Sequence, residues 1–211
     1  MINTLPTAAI LAGGGARRFG GLDKGSLVVE GRSILERQLE ELASLTDDIL
    51  VIGRSEMDCD LSAWRDRGVH VRAMPDRVAG RGPLGGLEMA LAASRAEALV
   101  VVACDMPFVT AALLAYLAAL STGADAVVPV TDRGCHSLCA VYTRACLPAI
   151  RRQLARGRLA MNGLLDDLRV RQVTVLELGA FGEPERLLTN INTADEYTRL
   201  VLGDVAAANS P

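Results

Sequence analysis

At 211 residues, 50% of them hydrophobic and only 3% aromatic, the chain is long enough to bury one substantial core, and that core must be aliphatic. A net charge of −3 excludes a general affinity for nucleic acid, which needs a surplus of Lys and Arg over a wide face, so any phosphate chemistry must be local. The stretch from Met1 to Pro6 has no basic region and the apolar runs fall short of a membrane span, so a cytoplasmic protein without membrane or nucleic-acid partners is expected.

Short β-rich runs then alternate with helical patterns. Thr7 to Leu11 reads as a buried strand, Ile34, Leu35, Gln38, Leu39, Leu42 and Leu45 lie at helical spacing, and Ile49 to Ile52 is a second strand. Val69 to Ala73, a Gly/Pro loop, a helix over Leu84 to Ala93 and the wholly apolar Ala98 to Ala103 repeat the alternation. Uninterrupted apolar strands predict a mostly parallel sheet covered by helices on both faces, an α/β fold of the Rossmann-like kind.

Beyond Asp105 the pattern predicts a helix over Thr110 to Leu120 and a strand over Ala126 to Val130. A turn at Asp132-Arg133-Gly134 then leads into a strand over Leu138 to Tyr142, so one hairpin partner and a mixed sheet are expected. Helices over Ala145 to Leu154 and Asn162 to Leu168 and a strand over Val170 to Leu176 follow. The capping box Thr193-Ala-Asp-Glu196 starts a last helix, expected to end at Leu202. One domain over 1–203 is expected, with a nucleotide-binding half over 1–110, an acceptor-binding half over 111–203 and a disordered tail over 204–211.

The five cysteines, Cys59, Cys104, Cys135, Cys139 and Cys146, are odd in number and form no CxxC pair, which fits a reducing compartment better than a disulfide framework. Cys135, His136 and Cys139 have metal-ligating chemistry, but a fourth ligand at sensible spacing is missing, so the two thiols read as small apolar residues in or near a strand.

The informative stretch runs from Leu11 to Gly25 and directly follows the first strand, where the C-terminal edge of a parallel sheet opens a crevice for ligands. Its glycines at 13, 14, 15, 20 and 21 let backbone N–H groups approach phosphate oxygens, and Arg17, Arg18 and Lys24 add positive charge. The P-loop pattern fails here, because Gly20 is followed by Gly21 and Leu22 rather than by Lys and Ser or Thr. The dinucleotide fingerprint fails too, because Arg18 occupies the place of its third glycine. Lys24 is the only lysine in the chain, every other one of the 22 Lys and Arg residues being arginine. A flexible ammonium follows a reacting phosphate differently from a planar guanidinium, so Lys24 reads as functional. At the other edge of the crevice, the apolar run Val100 to Cys104 ends in Asp105, a strand-end carboxylate suited to Mg²⁺, which prefers one or two carboxylates with waters and phosphate oxygens. Asp76, after the third strand, is a weaker candidate of the same kind.

Together, Leu11-Ala-Gly-Gly, Arg17-Arg18, Gly20-Gly21-x-Asp23-Lys24-Gly25, Gly82-Pro-Leu-Gly-Gly86, Cys104-Asp-Met-Pro107 and Asn190-Ile-Asn-Thr193 resemble the molybdenum cofactor guanylyltransferases over nearly the whole chain. The resemblance implies a nucleotidyltransferase fold and GTP contacts at Leu11, Ala12, Gly13, Lys24, Asp76 and Asp105, with magnesium carried by Asp105. Transfer of GMP from GTP to the terminal phosphate of molybdopterin or Mo-molybdopterin is the implied reaction, with carrier proteins and recipient molybdoenzymes as further partners. Acceptor contacts are expected at His136, Asn190 and Asn192. Two departures stand out: members often carry an Asn after the second strand, where this chain reads Ile52-Gly53-Arg54, and commonly a Pro where Ser137 follows His136.

Both reactants of such a transfer are anions, so positioning and electrostatics matter more than a base, and none is nominated. Lys24 and Asp105 are assigned to the reacting phosphates, and Arg17 and Arg18 to the departing pyrophosphate. Gly14, lacking Cβ, leaves room for a purine, which separates the reading from a cytidylyltransferase acting on the same pterin, whose related loop tends to have Ala there. The Arg-Leu-x-Pro pattern of sugar-phosphate nucleotidyltransferases is absent. From a different class, a non-catalytic GTP-binding adaptor for molybdoenzyme maturation remains an alternative.

Overall fold

The structure, a computed structural model, describes residues 5–12, 24–55, 61–75 and 80–208, with the backbone alone from 202 onward. The apolar runs read as strands in the first half of the chain become strands. β1 (Thr7–Leu11) is buried at all five positions. A small antiparallel hairpin of β2 (Val28–Val29) and β3 (Arg32–Ser33) leads into α1 (Ile34–Ala43). Ser33 caps this helix by accepting from Glu36 N, while Glu36 reaches back to the Ser33 N–H, so both ends of a capping box are closed.

β4 (Asp48–Ile52), the short α2 (Ser62–Asp66), β5 (His70–Met74), α3 (Gly82–Ala93) and β6 (Ala98–Ala103) continue the alternation. Then come α4 (Ala111–Ala119), capped by the Thr110 side chain, β7 (Ala126–Thr131), β8 (Gly134–Cys135) and β9 (Cys139–Thr143). α5 (Leu147–Ala155), α6 (Met161–Leu165), β10 (Val170–Val173), α7 (Val175–Leu178), α8 (Pro184–Leu187) and α9 (Ala194–Ala208) complete the chain.

The main sheet has the order β10-β7-β9-β6-β1-β4-β5, with β8 beside β7. The neighbours β1 and β4, β1 and β6, β4 and β5, and β7 and β10 run parallel, and β9 runs antiparallel to both β6 and β7. The hairpin partner expected after Asp132-Arg133-Gly134 is thus the strand inserted between β6 and β7. Successive strand residues face opposite sides of a sheet, so Ala8, Ile10, Ile49, Val51, Val100 and Val102 join one apolar cluster and Ala9, Leu11, Leu50, Ile52, Leu99 and Val101 the other. The first cluster is closed by Leu39 and Leu42 of α1 and by Leu113 and Leu117 of α4, the second by Leu84, Leu87 and Leu91 of α3 and by Ile150 of α5.

The structure corrects three expectations. The strand begun at Val170 stops at Val173 rather than Leu176, because Thr174 and Glu177 form a capping box that starts α7. α6 spans Met161–Leu165, one residue earlier at its start and shorter at its end than the helix expected over Asn162 to Leu168. α9 runs to Ala208, past Leu202 and into the stretch expected to be a tail.

Gly86 shows how tightly α3 lies on the strand ends: a Cβ there would sit 3.3 Å from Leu11 Cδ2 and 3.5 Å from Ile52 Cγ2. Gly163 in α6 is the opposite case, where an added methyl would meet nothing within 4 Å and the backbone has no positive φ. Gly86→Val is expected to lower the urea unfolding free energy by about 1–3 kcal/mol through overpacking against β1 and β4. Gly163→Ala should raise it by about 0.4–1 kcal/mol, by restricting the unfolded chain. Equal effects at the two positions would contradict this packing.

Candidate active site

The C-terminal ends of β1, β4, β5 and β6 lie along one edge of the sheet and are tied to each other as they leave it. Ala12 N donates to Ile52 O at 2.7 Å, Gly53 N to Met74 O at 2.8 Å, and Cys104 N to Leu11 O at 3.1 Å. The first β-to-α crossover returns to this edge at a 3-10 turn, Lys24–Ser26, and the turn after β6 brings Asp105 there.

Lys24 Nζ donates to Asp105 Oδ2 at 2.8 Å, with the two side chains 11% and 16% exposed, so the pair is largely withdrawn from water. The same ammonium donates to Asn192 Oδ1 at 3.3 Å. Three chain segments, the first crossover, the end of β6 and the approach to α9, therefore converge on one cation. Desolvating an ammonium and a carboxylate is favourable only when they are paired and further hydrogen-bonded, and Asn192 supplies the additional acceptor.

The Asp105 turn is held from several directions. Gln38 Nε2, on α1, donates to Ala103 O at 2.7 Å and to Met106 O at 2.9 Å. Arg37 Nε donates to Pro107 O at 3.1 Å, and Ile191 N to Asp105 O at 2.9 Å. Asn192 is fixed in turn, since its N–H donates to Glu196 Oε2 at 2.6 Å while Glu196 N donates to Thr193 Oγ1 at 3.2 Å. The capping box read from the sequence thus sets the position of a site residue. Leu27, Val29, Ile34, Phe108 and Ile191 form a small apolar cluster under this region, and Tyr197 OH donates to Val28 O at 2.8 Å. The segment following Lys24 is thereby packed onto the C-terminal helix.

Beside Asp105 opens a cleft of about 340 Å³ whose lining includes Asp105, Arg133, His136, Leu138, Asn190 and Asn192. The three residues assigned to the acceptor half from the sequence meet here. Arg133 and Glu185, which the sequence did not single out, also line the cleft and form an ion pair at 2.9 Å. His136 is held by its N–H, which donates to Pro129 O at 2.9 Å, and its Nε2 is hydrogen-bonded to Thr131 Oγ1 at 2.8 Å. The next residue is anchored as well, by Tyr142 OH donating to Ser137 O at 2.8 Å.

Leu11 and Ala12 sit at the end of β1, adjacent to the Asp105 turn. Gly13, Gly14, Arg17, Arg18 and Asp76 lie outside the described residues. Asp105 offers a hard carboxylate oxygen, the donor type Mg²⁺ takes, but among the described residues no group of three or more His, Cys, Asp or Glu is placed to hold a metal. From the described residues alone, a divalent ion on Asp105 would take phosphate oxygens and waters as further ligands. Cys59 lies outside the described residues, and two of the described cysteines are held as neutral thiols. Burial first, and the neighbouring Asp105 carboxylate next, push the Cys104 thiol up to about 11. Burial pushes Cys139 up to about 12, and Cys104, Cys135, Cys139 and Cys146 are all free thiols.

Burial lowers the pKa of His136 from its ordinary 6.5, the Glu185 carboxylate opposing the shift and the Arg133 guanidinium adding to it. The unfolded chain therefore takes up a proton on this ring more readily than the folded one. Its contribution to stability is complete above about 6.5 and falls away as pH drops towards the folded value. The thermal midpoint of the wild-type protein should accordingly decline below that pH more steeply than the midpoint of His136→Gln. Parallel curves for the two proteins would contradict the burial of a neutral ring.

Comparison with known proteins identifies the family. A family model described as a MobA-like NTP transferase domain matches residues 8–172. A molybdenum cofactor guanylyltransferase of Desulfosudis oleivorans is 32% identical over 194 residues, covering 92% of this chain and 93% of the relative. A probable molybdenum cofactor guanylyltransferase of Bacillus velezensis is 35% identical over 201 residues, covering 95% and 96%. The crystal structure of molybdopterin-guanine dinucleotide biosynthesis protein A from Archaeoglobus fulgidus superposes with a TM-score of 0.75 at 25% identity, covering 96% of this chain and 99% of that one. Sequence match and shared architecture extend over the segments that carry Lys24 and Asp105, and the chain belongs to the MobA-like NTP transferases, as a nucleotidyltransferase of the molybdenum cofactor guanylyltransferase family.

Proposed function

We propose that the protein transfers GMP from GTP to the terminal phosphate of molybdopterin or Mo-molybdopterin, with Mg²⁺, forming molybdopterin guanine dinucleotide and pyrophosphate. The observation that carries this reading is the ammonium of Lys24 held 2.8 Å from the Asp105 carboxylate, at the strand edge where the glycine-rich segment begins and the acceptor cleft opens.

In the reaction an oxygen of the acceptor's phosphate forms a bond to the α-phosphorus of GTP, and the bond from that phosphorus to the bridging oxygen breaks, releasing pyrophosphate. The acceptor phosphate is already ionised near neutral pH, so no general base is needed. Lys24 reaches the phosphates of the nucleotide from the end of its crossover, and Arg17 and Arg18 take the pyrophosphate charge. His136, Asn190 and Asn192 orient the acceptor in the cleft beside Asp105. Leu11, Ala12, Gly13 and Gly14 supply backbone groups to the guanine and phosphates, and Asp76 adds a carboxylate. Asp105 would hold the magnesium ion, which when bound offsets negative charge on the reacting phosphates. No helix of the described residues is long and apolar enough to cross a membrane, and we assign the activity to the cytoplasm, where carrier proteins and molybdoenzymes would exchange its substrate and product.

The test is release of pyrophosphate by purified protein supplied with Mg²⁺, a molybdopterin-bearing acceptor and each nucleoside triphosphate in turn. GTP should be preferred over CTP by on the order of a hundredfold in kcat/KM, because a site built to hydrogen-bond one base leaves buried polar groups unpaired with another. Equal use of CTP would support the cytidylyltransferase alternative, and GTP binding without pyrophosphate release the adaptor. In the same assay Asp105→Asn should abolish turnover with the fold intact. Lys24→Ala should lose ~3 kcal/mol of transition-state stabilisation, and Lys24→Arg should also be impaired. Wild-type rates in the arginine variant would make the lone lysine an accident of composition.

A further inference from the structure

α1 buries five residues, Ile34, Leu35, Gln38, Leu39 and Leu42, and four of them are aliphatic. Gln38 is 1% exposed, and its Oε1 has no hydrogen-bond partner among the described residues. A buried amide with an unpaired acceptor is unfavourable compared with a leucine or methionine packed in its place. Its two N–H groups account for its presence. They reach Ala103 O at 2.7 Å and Met106 O at 2.9 Å, the carbonyls on either side of Cys104 and Asp105.

A strand leaving a sheet frees carbonyls that have no ladder partner, and in a buried turn each must find a donor. Within the turn Met106 N donates to Ala103 O at 3.3 Å, and the other donors come from fixed elements outside it. Gln38 spans the turn from the helix packed beneath it, Arg37 takes Pro107 O from the adjoining helix position, and Ile191 N takes Asp105 O from the other side. Of these three donors Gln38 alone bridges two carbonyls of the turn itself, since the second carbonyl that Arg37 reaches is Val29 O, and the pair Gln38 bridges encloses the residue whose carboxylate meets Lys24.

The geometry points to Gln38 as a positioning residue for nucleotidyl transfer, a clamp that fixes the backbone of the Asp105 turn and so the direction of the Asp105 carboxylate. This rests on the reading of Asp105 as a site residue. Gln38 touches neither substrate nor metal, and it acts through the turn. Small displacements of reacting or metal-holding groups are costly to rate even where they cost little in stability.

Gln38→Met keeps the volume of the side chain and removes both donors. Against wild type it should lower kcat on the order of tenfold to a hundredfold and raise the Mg²⁺ concentration needed for half-maximal rate, with the KM for GTP nearly unchanged. Amide hydrogen exchange over 103–107 should speed up selectively. Leu42→Ala, a cavity on the same buried face at a side chain that donates no hydrogen bond to the turn, serves as the control for destabilisation alone. Gln38→Leu replaces the methionine variant if that one does not fold. Asp105→Asn is measured alongside. If Gln38→Met matches Leu42→Ala in kcat and metal requirement while Asp105→Asn is inactive, the clamp is overturned and the assignment of Asp105 stands. If Asp105→Asn turns over normally, the assignment of Asp105 fails first, and the clamp loses its purpose with it.

Discussion

Lys24 and Asp105 lie 81 positions apart in the chain, and their contact across the crevice is the constraint on which the rest of the site depends. Neither charge is favourable at that depth alone, since withdrawing a lone ammonium or carboxylate from water is costly without a partner. Each therefore needs its backbone held. Lys24 is followed by Leu27 and Val29, which pack into a small apolar cluster with Phe108 and Ile191, and Asp105 stands on a turn whose carbonyls are engaged by α1 and by the segment before α9. Local packing thus holds the two charges together.

The sheet topology explains why these parts can meet. β1 and β6 are parallel neighbours in the middle of the sheet, with Leu11 paired to Ala103, so both chains leave at the same edge and into the same solvent space. Inserting β9 antiparallel between β6 and β7 brings its beginning, not its end, to that edge, with Ala103 N donating to Leu138 O at 2.8 Å. That single reversed strand puts His136 and its neighbours beside Asp105. A uniformly parallel arrangement would have sent the loop preceding this strand to the far side of the sheet.

Much of this was legible in the sequence where one physical signal dominated. Continuous apolar runs gave away β1, β4 and β6, because strands covered on both faces are apolar at nearly every position, the exceptions being Thr7 and Asp48 at the strand starts, where Thr7 Oγ1 donates to Asp48 Oδ2. The isolated Lys24 and the strand-end Asp105 could be singled out by composition and place, though their direct contact could not, since it depends on how an intervening crossover returns. Asn192 was visible as part of a motif, while its bond to Lys24 required the final helix to be docked. Gln38 was seen as one position on a helical face, with nothing local to say which carbonyls it would reach. Short elements escaped detection: α2, α8 and the β2–β3 hairpin have too few residues for a period to register, and α7 displaced the end of an expected strand through the Thr174–Glu177 capping box.

Everything proposed for the site turns on whether the nucleotide's phosphates bind at the Lys24–Asp105 edge. A crystal structure of the protein with Mg²⁺ and a GTP analogue that cannot be cleaved between its α- and β-phosphorus tests this most directly. The Lys24 ammonium should then be in hydrogen-bond contact with a phosphate oxygen, the metal on Asp105, and the α-phosphorus facing the cleft lined by His136, Asn190 and Asn192. A triphosphate bound elsewhere, with the Lys24–Asp105 pair undisturbed and no metal beside it, would contradict it.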